Sequence, residues 1–159
     1  MNIRIVIFCL LAALGGITTG NARNHISVSK KECFLYVVTE RGDTLCKMPC
    51  AVGRHLGQKT KKGDMKTPEG VFTISKIQNS KTWTHDFKDG AGERAGAYGP
   101  WFIRLNVPRF TGIGIHGTCF PESIGTHCTE GCVRLNNEDL LKLVKLIKVG
   151  DIVKIEKDI

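Results

Sequence analysis

The chain has 159 residues, with 23 Lys+Arg against 15 Asp+Glu for a formal charge of +8, and 24% charged and 42% apolar residues. This length sets a one-domain expectation, and the balance of charge and apolar content excludes wholesale disorder. The lysines are scattered, with no basic block interleaved with aromatics, which argues against a nucleic-acid partner, and 18 glycines point to turns and β-structure rather than a helical bundle.

Taken in chain order, the first 22 residues read as a secretory signal rather than as fold. Met1 to Arg4 bring one positive charge, residues 5–14 form an unbroken apolar run, and residues 15–22 turn small and polar, ending Gly20-Asn21-Ala22. The run is shorter than the ~20 residues that span a bilayer. Cys9 lies inside it without the small residues that precede a lipid-attachment cysteine. The expectation is cleavage after Ala22, export to the periplasm or cell envelope, no membrane span in the mature chain, and one domain over residues 23–159.

Residues 25–38 alternate loosely and are rich in Ile, Val, Phe and Tyr, with an interruption at Ser29-Lys30-Lys31. Arg41-Gly42-Asp43 predicts a hairpin turn into a strand over residues 44–52. Residues 53–67 read as a polar loop, residues 71–77 and 101–107 as strands, and residues 112–116 as a short one. Between them, residues 78–100 form a long glycine-punctuated segment holding Trp83, His85, Phe87 and Tyr98; such a loop is either functional or packed on the sheet. His55 and His85 read as solvated. Asn136-Asn137-Glu138-Asp139 opens a helix whose apolar face is Leu140, Leu143, Val144 and Ile147, with Lys142, Lys145 and Lys148 on the wet side and Gly150 at its close. Residues 151–155 are a final strand. The chain is thus mainly β, with one helix near its C-terminus.

Six cysteines follow the signal: Cys33, Cys46, Cys50, Cys119, Cys128 and Cys132. An exported protein with six cysteines invites a disulfide framework. On one strand, however, Cys46 and Cys50 would lie about 13 Å apart, well outside the 4.4–6.8 Å that a disulfide spans. Buried free thiols are the expected fate of most. Cys128 is the exception of interest: a staple to Cys119, or free thiols, is favoured over a redox pair with Cys132.

The segment that carries chemistry begins at Gly112. It holds His116-Gly117-Thr118-Cys119 and, after Ser123-Ile124-Gly125, Thr129-Glu130-Gly131-Cys132-Val133-Arg134. A thiol reacts as thiolate, and a neighbouring imidazole can hold the ion pair. Arg134 offers a forked donor to a carboxylate. His116, Cys119, His127, Cys128 and Cys132 also fall within seventeen residues, but their spacing is not that of a zinc finger or ribbon.

These residues resemble the L,D-transpeptidase (YkuD-like) catalytic domain, with its His-Gly at a strand end followed by Ser/Thr-His-Gly-Cys and an Arg or Asn. Upstream, Lys66-Thr67-Pro68-Glu69-Gly70-Val71-Phe72 is similar to the family's Lys-Thr-Pro-x-Gly-x-Phe stretch, and Ile26-Ser27-Val28 and Gly150-Asp151-Ile152-Val153 match its ends. The resemblance implies a small mixed β-sandwich or barrel-like fold acting on peptidoglycan stem peptides as a monomer, with no cofactor and no metal. It implies Cys132 as the nucleophile on a tetrapeptide donor, His116 as the base oriented by the Gly117 carbonyl, and the Gly131 and Cys132 amides as oxyanion donors. Arg134 matches the family's basic position, a structural or carboxylate-binding residue, and the resemblance implies a 3→3 cross-link once a stem amine attacks the acyl-enzyme; Thr129 and Tyr98 are further candidates for substrate contact, Tyr98 either as part of a lid over the stem or packed on the sheet. One residue departs from the pattern: Glu130 stands where the family usually has His. Hydrolysis of the same acyl-enzyme, an L,D-carboxypeptidase reaction, is the alternative outcome; a zinc-binding or catalytically silent envelope protein is the alternative class.

Overall fold

A computed structural model describes residues 24–158; the signal expected over residues 1–22 lies outside them. Eleven strands and one helix follow in order. They are β1 (His25–Ser29), β2 (Phe34–Val38), β3 (Thr44–Gly53), β4 (Gly70–Asn79), β5 (Thr84–Asp86), β6 (Glu93–Ala95), β7 (Trp101–Leu105), β8 (Gly114–His116), β9 (His127–Thr129), β10 (Val133–Leu135), α1 (Asn137–Leu146) and β11 (Ile152–Ile155). Nine strands form one sheet in the order β10-β8-β7-β4-β11-β1-β2-β3-β9, and β10 pairs again with β3. That extra pairing bends the sheet back on itself into a barrel-like sandwich. Among the described residues, no helix is long and apolar enough to cross a membrane.

The period-2 pattern explains the strands. Ile26 and Val28 of β1, Leu35 and Val37 of β2, and Val153 and Ile155 of β11 are all buried, while Ile152 and Lys154 face out. β1 lies between β11, which it meets in parallel at Ile26↔Val153, and β2, which it meets antiparallel at Ile26↔Val37. β3 has two halves: Thr44 to Pro49 pairs with β2, and the stretch from Cys50 to Gly53 serves β10 and β9. Pro49, which cannot donate to a ladder, sits where one set of partners gives way to the next. The apolar face of α1 closes one end of the core through Leu140 and Leu143.

Two sequence expectations change here. Residues 78–100 are not all loop, because β5 and β6 form a separate two-stranded hairpin. The helix also ends at Leu146, before Gly150; that glycine, at φ +92°, makes the turn into β11. Asn136 gives no side-chain cap, and the side chain of Asn137 is turned instead toward the Thr118 backbone, accepting from its N–H at 2.9 Å and donating to its carbonyl at 3.0 Å.

The polar loop over residues 53–67 is held by charge. Burial works against ionisation of Asp64, yet the Lys59 ammonium at 2.6 Å and the backbone amides of Lys61, Thr60 and Lys66 hold its carboxyl well below the usual range. Beside it, Lys30 is 2% exposed and meets Glu69 at 2.7 Å and Asp158 at 3.0 Å. Its ammonium also donates to the carbonyls of Gly57 and Thr67. Removing one partner of such a desolvated cluster leaves uncompensated charge. Lys30→Ala is therefore expected to lower the unfolding free energy by about 3 kcal/mol, read from the urea midpoint; an unchanged midpoint would show that water reaches the carboxylates.

Candidate active site

His116 ends β8 and Cys132 immediately precedes β10, and these two strands run side by side in parallel, with Ile115 opposite Val133 and His116 opposite Arg134. The pairing brings together two side chains sixteen residues apart at one cleft of about 340 Å³. His116 is 4% exposed. Its Nδ1 lies 2.6 Å from the Gly117 carbonyl. A carbonyl oxygen only accepts, so Nδ1 carries the proton and Nε2 keeps its lone pair. The ring is enclosed by aromatics: Phe102 stacks on it at 5.6 Å with planes 7° apart, and Tyr98 presents an edge at 5.0 Å.

Two glycines are forced by close approach. A Cβ on Gly117 would stand 2.9 Å from the Gly99 Cα and strike the Asn137 side chain. Gly131 adopts φ +132°, and a Cβ there would lie 2.7 Å from the Lys66 carbonyl. The Lys-Thr-Pro stretch is thus the wall behind the Gly131-Cys132 turn, fastened by Thr67, whose hydroxyl accepts from the Gly53 amide at 2.8 Å.

Burial sets the protonation of the pair. It pulls His116 down to about 4, against the Gly117 bond, with the Arg134 charge adding to the fall. It pushes Cys132 up to about 11, against the Gly114 amide and the Arg134 charge, while Glu130 pushes the same way as burial. The thiol rests 3.4 Å from the Gly112 carbonyl. At neutral pH the site therefore holds an uncharged thiol and an uncharged imidazole, not the ion pair that a Cys–His neighbourhood suggests.

The other expected site residues fall into different positions. Thr129 lines the cleft, but it is 2% exposed and its hydroxyl is committed, donating to the Cys132 carbonyl at 2.6 Å and accepting from the Gly131 amide at 3.2 Å. It braces the turn rather than offering a group to a ligand, and the Gly131 amide it engages is not a free oxyanion donor. Arg134 is 6% exposed, lines the cleft, and donates through Nη1 to the Ser123 hydroxyl at 2.9 Å. Its Nε is buried without a partner among the described residues. Tyr98 and Phe87 line the cleft, whereas Trp83 packs on Tyr98 and Phe102 outside it.

His85, expected in solvent, is half-buried at the cleft: its Nδ1 meets the Tyr98 hydroxyl at 3.0 Å and its Nε2 meets Glu130 at 3.3 Å. Nothing local in the sequence marks this, because the partner lies forty-five residues away. His55 is exposed, as expected. The six cysteines among the described residues are free thiols, so neither a Cys119–Cys128 staple nor a Cys128–Cys132 pair is formed; Cys128 instead lies 3.7 Å from Arg134 Nη1. Among the described residues, no three His, Cys, Asp or Glu side chains converge as a metal-binding group.

Residues 23–155 match the family profile of the L,D-transpeptidase catalytic domain, YkuD. The chain belongs to that family. A Bacillus licheniformis protein carrying the L,D-transpeptidase name YkuD is 30% identical over 133 residues, covering 84% of this chain and 64% of its own length. This chain therefore spans under two thirds of that relative. Among solved structures, L,D-transpeptidase 3 from Mycobacterium tuberculosis, in complex with a faropenem-derived adduct, superposes with a TM-score of 0.64 at 16% identity, covering 86% of this chain and 61% of that one. The catalytic domain of the E. faecium L,D-transpeptidase superposes with a TM-score of 0.60 at 19% identity, covering 83% of this chain and 95% of that one. At these identities the structures establish a shared fold, the barrel-like sandwich described above.

The protonation of this L,D-transpeptidase domain is directly measurable. Only thiolate is alkylated, and a raised thiol pKa means that its fraction grows with pH up to that value. Iodoacetamide modification of the Cys132 peptide, followed by mass spectrometry, is expected to accelerate roughly tenfold per pH unit between pH 7 and 10. A plateau beginning near pH 6 would instead reveal a thiolate–imidazolium pair.

Proposed function

We propose that this domain is a cysteine-dependent L,D-transpeptidase of the cell envelope that takes a peptidoglycan tetrapeptide stem as donor and joins it to an amine of a second stem in a 3→3 cross-link. The observation that carries the reading is the placement of Cys132 and His116, whose Nε2 is unprotonated, on adjoining parallel strands at one cleft. The signal-like N-terminus supports action outside the cytoplasm.

In this mechanism the Cys132 proton passes to His116 Nε2 as sulfur attacks the carbonyl that precedes the terminal D-residue. With the Gly131 amide held by Thr129, the Cys132 amide is left to stabilise the developing oxyanion. His116 then returns the proton to the leaving amine, and the D-residue departs from a thioester. Because the resting pair is neutral, charge separation occurs only as the bond forms, and the low pKa of His116 makes its imidazolium a strong proton donor to the leaving group. Arg134 lines the cleft and brings positive charge toward a carboxylate of the bound stem.

Cys132→Ala is expected to abolish both D-residue release and cross-linked product from a disaccharide-tetrapeptide while leaving the circular dichroism spectrum unchanged. His116→Ala should slow acylation 10²–10⁴-fold. Near-normal turnover by either variant would sink the mechanism, and trimmed monomer without dimer would assign the domain to hydrolysis. A carbapenem is expected to add once to the protein, on the peptide containing Cys132; an adduct on any other cysteine counts against the assignment.

A further inference from the structure

The cleft that holds Cys132 is walled by basic side chains, Lys59, Lys62, Arg109 and Arg134, and among its lining residues Glu130 is the one carboxylate. A second cleft, of about 280 Å³, abuts the first, and the two share Phe87, Glu130 and Arg134. Glu130 thus stands at the junction of two cavities, two residues from the reacting sulfur. A reaction that joins two substrates requires such a junction, since donor and acceptor must meet at one carbonyl carbon.

Glu130 is held rather than loose. His85 bridges two cleft residues: its Nδ1 shares a hydrogen bond with the Tyr98 hydroxyl at 3.0 Å, and its Nε2 lies 3.3 Å from Glu130 Oε2, within ion-pair distance. Tyr98 is itself anchored beside the base, because its backbone carbonyl accepts from the Gly117 amide at 2.8 Å and its ring edge touches His116. The Glu130 side chain remains 48% exposed, so the carboxylate touches His85 on one side while a face stays open. Beside it, Arg134 lines both cavities with its Nε buried and unpartnered among the described residues. A ligand that brings an ammonium to the cleft junction meets the open face of Glu130.

We propose that Glu130, positioned by His85, selects a cationic primary amine as the acceptor in the second half-reaction. This rests on the thioester reading given under Proposed function. The ammonium docks on Glu130 and gives up one proton through the carboxylate to solvent. The neutral amine then attacks the thioester carbonyl and the carbon–sulfur bond breaks. A second amine proton passes through His116 to the Cys132 sulfur, and the third stays on the new amide nitrogen. A neutral nucleophile or water lacks the charge–charge attraction to Glu130, so the carboxylate favours amine transfer over hydrolysis.

The experiment supplies tetrapeptide donor to the purified protein with either lysinamide, a cation, or methoxyamine, uncharged at neutral pH, and quantifies both amides by mass spectrometry. Glu130→Gln is expected to lower the lysinamide-to-methoxyamine ratio of kcat/KM roughly tenfold, through a raised KM for lysinamide. His85→Ala should move the same ratio in the same direction, and His85→Gln, which keeps a donor toward Glu130, should restore it. Wild-type protein that forms neither amide overturns the proposal together with the transpeptidase reading. Wild-type protein that forms both, with a ratio unmoved by Glu130→Gln, overturns this proposal alone.

Discussion

The site hangs from the parallel pairing of β8 with β10. Each strand is three residues long, too short to be stable alone, and parallel neighbours cannot be joined by a tight hairpin. They are held because Ile115, Val133 and Leu135 are fully buried and because β7 and β3 flank them on either side. Each such side chain contributes ~1.5–3 kcal/mol of burial. The register that sets thiol against imidazole is therefore fixed by core packing, and the sixteen-residue excursion between them is free to shape the cleft.

The same packing governs the chemistry. Phe102 and Tyr98 exclude water from His116, and that exclusion makes the imidazole a weak base at rest. The Gly117 carbonyl fixes which nitrogen faces the reaction, and Asn137, reaching from the helix to Thr118, fixes the loop that carries that carbonyl. A residue placed at a helix start thus acts as a strut for the base. On the sulfur side, Thr129 closes the turn and the Lys66 carbonyl backs it, so the thiol is presented by backbone that has little room to relax.

The long strands and the helix were legible because apolar periodicity persists over enough residues to be distinctive: Ile26 and Val28, Leu35 and Val37, Leu140 and Leu143. β9 and β10 were not, since three residues beside glycines carry no measurable period, and their partners are remote in sequence. Cys132 and His116 could be named from motif spacing, and their convergence follows from the fold. The neutral state of the pair could not be read in advance, because it depends on rings contributed by β7 and by the segment before it. The bonding of Thr129 was hidden for a related reason: a hydroxyl beside a reactive thiol looks available until its bonds to Gly131 and Cys132 are seen. His85 was invisible because Glu130 is reached only through the β5–β6 hairpin.

The place of β1 has a consequence for the order in which the protein can be made. The first described strand is completed on one side by β11, the last, and Glu156 donates its amide to the Val28 carbonyl just beyond that ladder. Lys30, directly after β1, likewise finds its second carboxylate in Asp158. During synthesis β1 must wait, with one edge unpaired, until residues 152–158 have left the ribosome. The sheet thus cannot close on β1 before residues 152–158 are available, a delay set by topology alone.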